Sequence, residues 1–276
     1  MTEQASFTIE SPGGPREVTL TYERAGAGEP LLLLHGIGHH WQAWQPVLPI
    51  LATERDVIAV DLPGFGSSPA LPEGLSYGLS SVAPVLDAFC RHLGIERPHV
   101  AGNSLGGLLA LELAREKLVR SVTALSPAGF WTQAERRYAF GTLLAMRRGA
   151  RALPLPVIER LSRSAAGRTA LTSSIYAHPG RRSPEAVVAE TLALRNATGF
   201  GQTLAAGRDV QFRDDIPEIP VTVAWGTRDR LLLRRQGVRA KRVLPGARLV
   251  RLPGCGHVPM HDDPALVARV VLDTSR

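Results

Sequence analysis

The chain has 276 residues, of which 44% are hydrophobic, and this length fits one large α/β domain, with or without an insertion. With no apolar run of 18 residues, no signal-peptide pattern at the start and two cysteines, the sequence predicts a cytoplasmic protein without a membrane span. The net charge of +7 is concentrated between Trp131 and Arg213, where 13 arginines and 5 acidic residues give +8. Because this stretch has no RNA-binding or zinc-binding motif, it predicts a solvated helical face and no nucleic-acid partner.

The first third of the chain alternates between strand and helix patterns. Residues 5–11 and 17–25 predict a β-hairpin, and Leu31-Leu32-Leu33-Leu34 is typical of a strand buried on both faces of a parallel sheet. The elements predicted next are a helix over 41–52, a strand over 56–61, a turn-rich loop over 62–68 and a helix over 80–93.

A serine stands at a predicted sharp turn from strand to helix. The strand is expected over 97–101, and an apolar helix begins at Leu105. Between them lies Gly102-Asn103-Ser104-Leu105-Gly106, the Gly-x-Ser-x-Gly signature of a nucleophile elbow. Glycines are needed there because strand and helix approach too closely for a Cβ atom. The pattern therefore predicts Ser104 as a nucleophile.

The second half of the chain resumes the alternation after a long helical interruption. A strand is expected over 121–126, followed by a helical lid over 127–209. The order predicts a mostly parallel sheet with helices on both faces, in a catalytic domain formed by residues 1–126 and 210–276. Its remaining predicted elements are a strand over 221–225, a helix over 234–244, a strand over 247–252 and a helix over 264–272.

Two residues that follow late strands are expected to join Ser104. Asp229 comes after the strand over 221–225, and His257 follows the strand over 247–252. A serine hydroxyl needs a base to remove its proton, and the base needs an acid to orient it. Two alternatives exist: Asp229 as a surface acid paired with a neighbouring arginine, and His261 as the base. Glycines before His257 favour it, since they let a loop deliver the ring.

An anionic tetrahedral intermediate also needs two hydrogen-bond donors. The backbone N–H of Leu105 is one candidate, and the N–H of Ile37, in the loop that follows the strand over 31–34, is the other. Gly36 allows that loop to come close. Histidines at 39, 40, 257 and 261 show no three-ligand pattern with supporting carboxylates, so no metal is expected.

Several motifs together resemble the capped α/β-hydrolase family. They are His35-Gly36, Asp61-Leu62-Pro63-Gly64-Phe65-Gly66-Ser67-Ser68, Gly102-Asn103-Ser104-Leu105-Gly106-Gly107, Trp225-Gly226-Thr227-Arg228-Asp229 and Gly256-His257-Val258-Pro259. The resemblance implies an eight-stranded sheet, a helical cap between strands six and seven, and no cofactor. A serine at 104 argues against the dehalogenase and epoxide-hydrolase branches, which have an aspartate there.

Three functions are compatible with this resemblance. The residues Asn103, Trp41 and Trp44 resemble those of hydrolases that act on ring-cleavage products. These enzymes break a C–C bond next to a ketone. Val258 and the loop from Ile37 to His40 depart from that branch, so a carboxylesterase acting on small or medium acyl esters is the first choice. The second is the C–C hydrolase, and the third is a receptor that binds a small molecule on a hydrolase fold.

The expected partner is a small-molecule ester or ketone, with no membrane partner, and both a monomer and a homodimer remain open. The residues expected to contact substrate are Gly36, His39, Trp41, Phe130, Trp131 and Val258. Further apolar residues considered for the pocket wall are Tyr138, Phe140, Met146, Leu153 and Phe200.

Overall fold

Eight strands form one sheet in the computed structural model, which describes residues 2–11 and 13–276. In chain order they are β1 (Glu3–Ile9), β2 (Arg16–Ala25), β3 (Glu29–Leu34), β4 (Arg55–Val60), β5 (His99–Asn103), β6 (Ser121–Leu125), β7 (Val221–Gly226) and β8 (Arg248–Leu252).

The strands lie in the order β1-β2-β4-β3-β5-β6-β7-β8. The pairs β1–β2 and β2–β4 are antiparallel, and every later pair, from β4–β3 to β7–β8, is parallel. The prediction of a mostly parallel eight-stranded sheet is confirmed. Because the parallel strands run the same way, the loops that follow β3, β5, β7 and β8 emerge at one edge.

Ten α-helices accompany the sheet within the described residues. They are α1 (Leu48–Leu51), α2 (Leu79–His92), α3 (Leu105–Arg115), α4 (Gln133–Ala152), α5 (Leu155–Ser162), α6 (Ala165–Thr172), α7 (Pro184–Asn196), α8 (Phe200–Ala206), α9 (Arg235–Val243) and α10 (Pro264–Thr274). Helices α4 to α8 all lie between β6 and β7, and residues 127–209 are called the helical segment below.

Two of the elements near the site differ from the sequence-based expectation. The single helix expected over 41–52 is wrong: a 3₁₀ helix (Trp41–Trp44) and the one-turn helix α1 replace it. Pro46 and Pro49 each lack the N–H that a continuous helix would use. The strand before Ser104 begins at His99 instead of residue 97, because Arg97 adopts a positive φ of 47° that no strand residue has.

The core lies on both faces of the central strands. Residues Leu31 to Leu34 of β3 are at most 1% exposed, and all five residues of β5 are buried. Helix α3 buries nine of its residues, as its largely apolar sequence predicts. The strand and helix that flank Ser104 therefore both belong to the close-packed core.

The helical segment is attached to the sheet domain at both ends. At its start, Thr132 and Glu135 form a capping box on α4, and the Glu135 carboxylate also contacts Arg235 and Arg239 of α9. At its end, the N–H of Gly199 donates to the carbonyl of Gly64, at 3.0 Å, in the loop after β4. These contacts position α4 to α8 over the edge of the sheet where Ser104 lies.

Across residues 2–11 and 13–276, no helix combines the length and the apolar character that crossing a membrane requires.

Candidate active site

Ser104 occupies the bend between β5 and α3. Its φ of 57° and ψ of −113° lie outside the regions that ordinary residues favour. A Cβ atom on Gly102 would overlap the carbonyl of Gly106, and one on Gly106 would overlap the carbonyl of Leu34. The two glycines are thus required by the close approach of strand and helix, as the sequence motif predicts.

We expect Gly106→Ala to lower the free energy of unfolding by about 3 kcal/mol or more, since the new methyl group meets backbone atoms that cannot move aside. This corresponds to a melting temperature lower by about 10 °C, measured by calorimetry. Gly141→Ala is the matched control, because Gly141 lies exposed in α4 with no atom within 4 Å of the added Cβ. That variant is expected to gain about 0.5–1 kcal/mol. Equal effects of the two substitutions would contradict the close-approach argument.

Asp229 and His257 meet in a buried hydrogen bond. They lie in the loops after β7 and β8, and 2.9 Å separates His257 Nδ1 from Asp229 Oδ2. The other carboxylate oxygen, Oδ1, accepts from the backbone N–H groups of Leu231 and Leu232, at 2.9 and 2.8 Å. The Asp229 side chain is fully buried, so the alternative of a surface ion pair is wrong. With Nδ1 bonded to Asp229, Nε2 is the nitrogen left for other chemistry.

The loop that carries His257 is fixed from two sides. The Asn103 side-chain amide donates to the carbonyls of His257 and Leu125, at 2.8 and 3.1 Å. From the helical segment, the carbonyl of Ile175 accepts from the N–H groups of His257 and Val258, at 2.8 and 3.0 Å. The backbone of the His257 loop is therefore held in place from both sides, and His257 lines the same cavity as Ser104.

The loop after β3 lies against Ser104. A Cβ on Gly36 would stand 3.2 Å from the Cβ of Ser104, which shows how closely the two backbones approach. His35 holds this loop: its Nδ1 donates to the Gly36 carbonyl, at 2.7 Å, and its Nε2 accepts from the N–H of Leu62, at 3.0 Å. Burial lowers the pKa of His35 to about 3, so the ring stays neutral and keeps both bonds. Within the described residues, the N–H groups of Ile37 and Leu105 donate to no acceptor.

Two cavities meet at Ser104 and Ile37, and both residues line each of them. The larger, of about 260 Å³, also contains His257 and is called the main cavity. The smaller, of about 60 Å³, is almost entirely apolar and is called the side cavity. Helices α4, α6 and α7 supply much of the main cavity's wall. Its apolar side chains from the helical segment include Leu143, Met146, Leu153, Leu171 and Leu194.

The residues expected to contact substrate divide between these cavities and the core. Gly36, His39 and Val258 line the main cavity, and Trp131 lines the side cavity. Trp41 and Phe130 line neither cavity. Phe130 packs against Phe212 with ring centroids 5.8 Å apart, and Trp41 packs against the core.

The further apolar residues considered for the pocket wall divide in the same way. Met146 and Leu153 line the main cavity, and Phe140 lines the side cavity. Tyr138 is 52% exposed, and its hydroxyl donates to the carbonyl of Arg230 at 2.9 Å. Phe200 is fully buried beneath the guanidinium of Arg147, whose Cζ lies 4.6 Å from the ring centroid.

Sequence reasoning missed several residues that hold or line this site. Asp61 accepts from the N–H groups of Trp41 and Ser67, at 2.6 and 2.8 Å, and so ties the loop after β3 to the loop after β4. The glycine-rich run that follows Asp61 in the sequence is the pattern that could have indicated this role. Ile175 and Glu190 come from the helical segment, where nothing in the residue pattern marks them.

No group of three His, Cys, Asp or Glu side chains in the described part of the chain is arranged to hold a metal ion.

Comparison with known proteins identifies the family. Residues 29–264 match the family model described as alpha/beta hydrolase fold. An uncharacterized protein of Mycobacterium tuberculosis is 31% identical over 262 residues, which cover 90% of this chain and 75% of that protein. The chain therefore belongs to the α/β-hydrolase family.

Solved structures of similar fold include two kinds of hydrolase. A thermophilic esterase from Thermogutta terrifontis superposes with a TM-score of 0.75 at 21% identity, covering 98% of this chain and 97% of the esterase. A meta-cleavage product hydrolase from Pseudomonas fluorescens superposes with a TM-score of 0.73 at 20% identity, covering 97% of this chain and 96% of that hydrolase. These likenesses concern the fold, which is common to both kinds of hydrolase.

Proposed function

We propose that the protein is a serine hydrolase that cleaves carboxylic esters with small or medium acyl groups. One observation carries the proposal: Ser104, at a strained elbow, lines the same cavity as His257, and the buried Asp229 carboxylate accepts from the His257 ring. Nucleophile, base and orienting acid follow one another along the chain in the order that this fold uses.

The proposed reaction begins with attack of Ser104 Oγ on the ester carbonyl carbon. The hydroxyl proton passes to His257 Nε2, and Asp229 stabilises the imidazolium that forms. When the C–O bond to the leaving alcohol breaks, the same proton passes from His257 to the alcohol oxygen. Water then cleaves the acyl-enzyme by the same route, which regenerates Ser104.

The N–H groups of Ile37 and Leu105 are proposed to bind the oxyanion. Both residues line the side cavity beside Ser104, and their N–H groups are not used in hydrogen bonds within the described residues. Preorganised backbone donors stabilise the developing charge without reorganisation during the reaction.

The two cavities support a substrate with two unequal arms. The side cavity, of about 60 Å³, fits a short apolar arm, and the main cavity, of about 260 Å³, fits a larger one. The helical segment, residues 127–209, is proposed to act as the cap that covers both arms and excludes water.

A C–C bond hydrolase is the second candidate. Asn103, which lines the main cavity, favours it because an asparagine before the serine resembles that branch. Against it, Val258 stands where that branch usually has a tryptophan, and Ile37-Gly38-His39-His40 replaces its Ser-Gly-rich loop. The ester reaction is therefore the primary proposal.

The test is a screen of purified protein on p-nitrophenyl esters of increasing acyl length, beside a vinylogous diketone, with Ser104→Ala as control. Hydrolysis of short and medium esters that Ser104→Ala abolishes is the expected result. Turnover of the diketone alone would favour the C–C hydrolase. Tight binding of a small molecule with negligible turnover of all substrates would favour a receptor and contradict the proposal.

Asn103→Ala is expected to reduce kcat by about 10- to 100-fold with a smaller change in KM, because the His257 loop loses its tie to the elbow and the imidazole shifts. Steady-state kinetics on the best ester of the screen measure the effect. Asn103→Ala with wild-type kcat would show that the contact from Ile175 alone positions His257.

A further inference from the structure

Glu190 of α7 lines the main cavity together with Ser104, and its side chain is only 8% exposed. One carboxylate oxygen, Oε1, is occupied: it accepts from the Tyr176 hydroxyl at 2.9 Å and from the Arg182 guanidinium. The other oxygen, Oε2, is buried and has no hydrogen-bond partner among the residues that the structure describes. A buried carboxylate oxygen without a donor is costly, so we expect a donor that reaches Oε2 from the cavity to be bound.

Glu190 and Arg182 together form a nearly neutral pair. The Arg182 side chain is 9% exposed, and its guanidinium also lies 4.7 Å from the centroid of the Tyr176 ring. Glu190 lines the cavity and Arg182 does not, so a substrate carboxylate would meet the Glu190 carboxylate. An ammonium group would lose its hydration beside a carboxylate whose charge Arg182 already compensates. Because both charges are disfavoured here, the site favours a neutral polar group.

His39 is a second polar group in this cavity, and its ring can donate a hydrogen bond where Glu190 can only accept one. It lines the same cavity, and its Nδ1 is buried without a partner among the described residues. Burial, with the nearby histidines and Arg182, holds the pKa of His39 well below its usual value, so the ring is neutral and one nitrogen carries a proton. A carboxylate that accepts and an imidazole that can donate match a hydroxyl group, which does both.

We propose that the main cavity selects esters whose larger arm carries a neutral hydroxyl group, and that Glu190 is the residue that recognises this hydroxyl. The inference rests on the proposed ester hydrolysis and specifies its substrate class. The hydroxyl belongs to a hydroxyacyl group or to a diol, depending on which side of the ester occupies the main cavity.

Binding to the Ser104→Ala variant tests the proposal without turnover. The first ligand pairs are methyl ω-hydroxyalkanoates of about four to eight carbons and the methyl alkanoates in which a methyl group replaces the hydroxyl. The second pairs are ω-hydroxyalkyl and alkyl butanoates. Calorimetry at pH 8 keeps Glu190 ionised, since burial raises its pKa to about 7 against the opposing effect of Arg182.

At one or more chain lengths the hydroxyl ligand is expected to bind about 10-fold or more tightly than its methyl counterpart. A difference confined to the first pairs identifies hydroxyacyl esters, and one confined to the second identifies esters of diols. Equal affinities in every pair would overturn the proposal. Since this measurement needs no hydrolysis, it is independent of whether the wild-type protein cleaves esters.

Two variants of the same Ser104→Ala protein assign the effect to Glu190. Arg182→Met combined with Glu190→Leu removes the acceptor and its charged partner together, and is expected to abolish the hydroxyl preference. Glu190→Gln leaves the Arg182 charge without compensation, and is expected to bind an ω-carboxylate ester at least about 10-fold more tightly than the parent does.

Thr191→Val is the matched control, because Thr191 lines the same cavity but its hydroxyl donates to the Val187 carbonyl of its own helix, at 2.7 Å. The hydroxyl preference is expected to survive this change. A preference retained in the double variant would overturn the role of Glu190. If the double variant does not fold, the Glu190→Gln variant provides the test. An affinity for the ω-carboxylate ester no higher than that of the parent would overturn the proposal.

Discussion

Ser104→Ala is expected to lower kcat for ester hydrolysis by about 10⁴-fold or more, because the variant has no oxygen nucleophile at the elbow. We expect the Ser104→Ala variant to keep the wild-type fold. Ser104 contributes to it through its backbone, which donates to the Leu125 carbonyl at 3.0 Å and accepts from the N–H groups of Leu108 and Ala128 at 3.0 and 3.1 Å. Steady-state kinetics and a melting curve on the same preparation measure both effects.

Ser126→Ala provides a matched control for this loss. Ser126 also follows a central strand, has a positive φ of 43° and is fully buried, and its hydroxyl has no partner among the described residues. Activity of Ser126→Ala is expected to equal that of the wild type. Full activity of Ser104→Ala would remove the nucleophile from the proposed reaction.

Asp229→Asn is expected to lower kcat by about 10⁴-fold through the tautomer of His257. Two backbone N–H groups, those of Leu231 and Leu232, face Oδ1, so the asparagine oxygen must take that position. Its NH₂ group then faces His257 Nδ1 and can only donate to it. The ring proton is thereby moved to Nε2, which can no longer accept the proton of Ser104.

Asp263→Asn is the control for the charge change. Asp263 caps α10 through the N–H of Leu266, at 3.0 Å, and asparagine caps helices as well as aspartate does. Kinetics and melting temperature of this variant are expected to match the wild type. An Asp229→Asn protein that is folded and retains more than about a tenth of wild-type kcat would argue that Asp229 has only a structural role.

Much of the framework could be predicted from the sequence because its signals are local. The elbow depends on glycines two residues from Ser104, and their backbone contacts explain why no other residue fits. The run Leu31 to Leu34 is buried on both sides in the structure, as such a run predicts. The proximity of Asp229 and His257 could be predicted because strand ends in a parallel sheet gather at one edge.

The supports of the site could not be predicted, since they join distant parts of the chain. Asn103 bonds to the carbonyl of a residue 154 positions away, and only the folded structure brings the two together. Ile175 acts through its backbone carbonyl, which its residue type does not reveal. Glu190 and Arg182 lie in a segment rich in charged residues, where the sequence favours a solvated face over a buried pair.

The two hydrogen bonds that the Ile175 carbonyl accepts have a consequence for engineering chimeras. An exchange of residues 127–209 for the equivalent stretch of another hydrolase also exchanges a support of the proposed general base. A graft that alters the turn around Ile175 is therefore expected to lose turnover even when its new pocket binds the intended compound. Grafts that keep this turn native and replace only α4, α5 and α7 separate the redesign of specificity from damage to the catalytic loop.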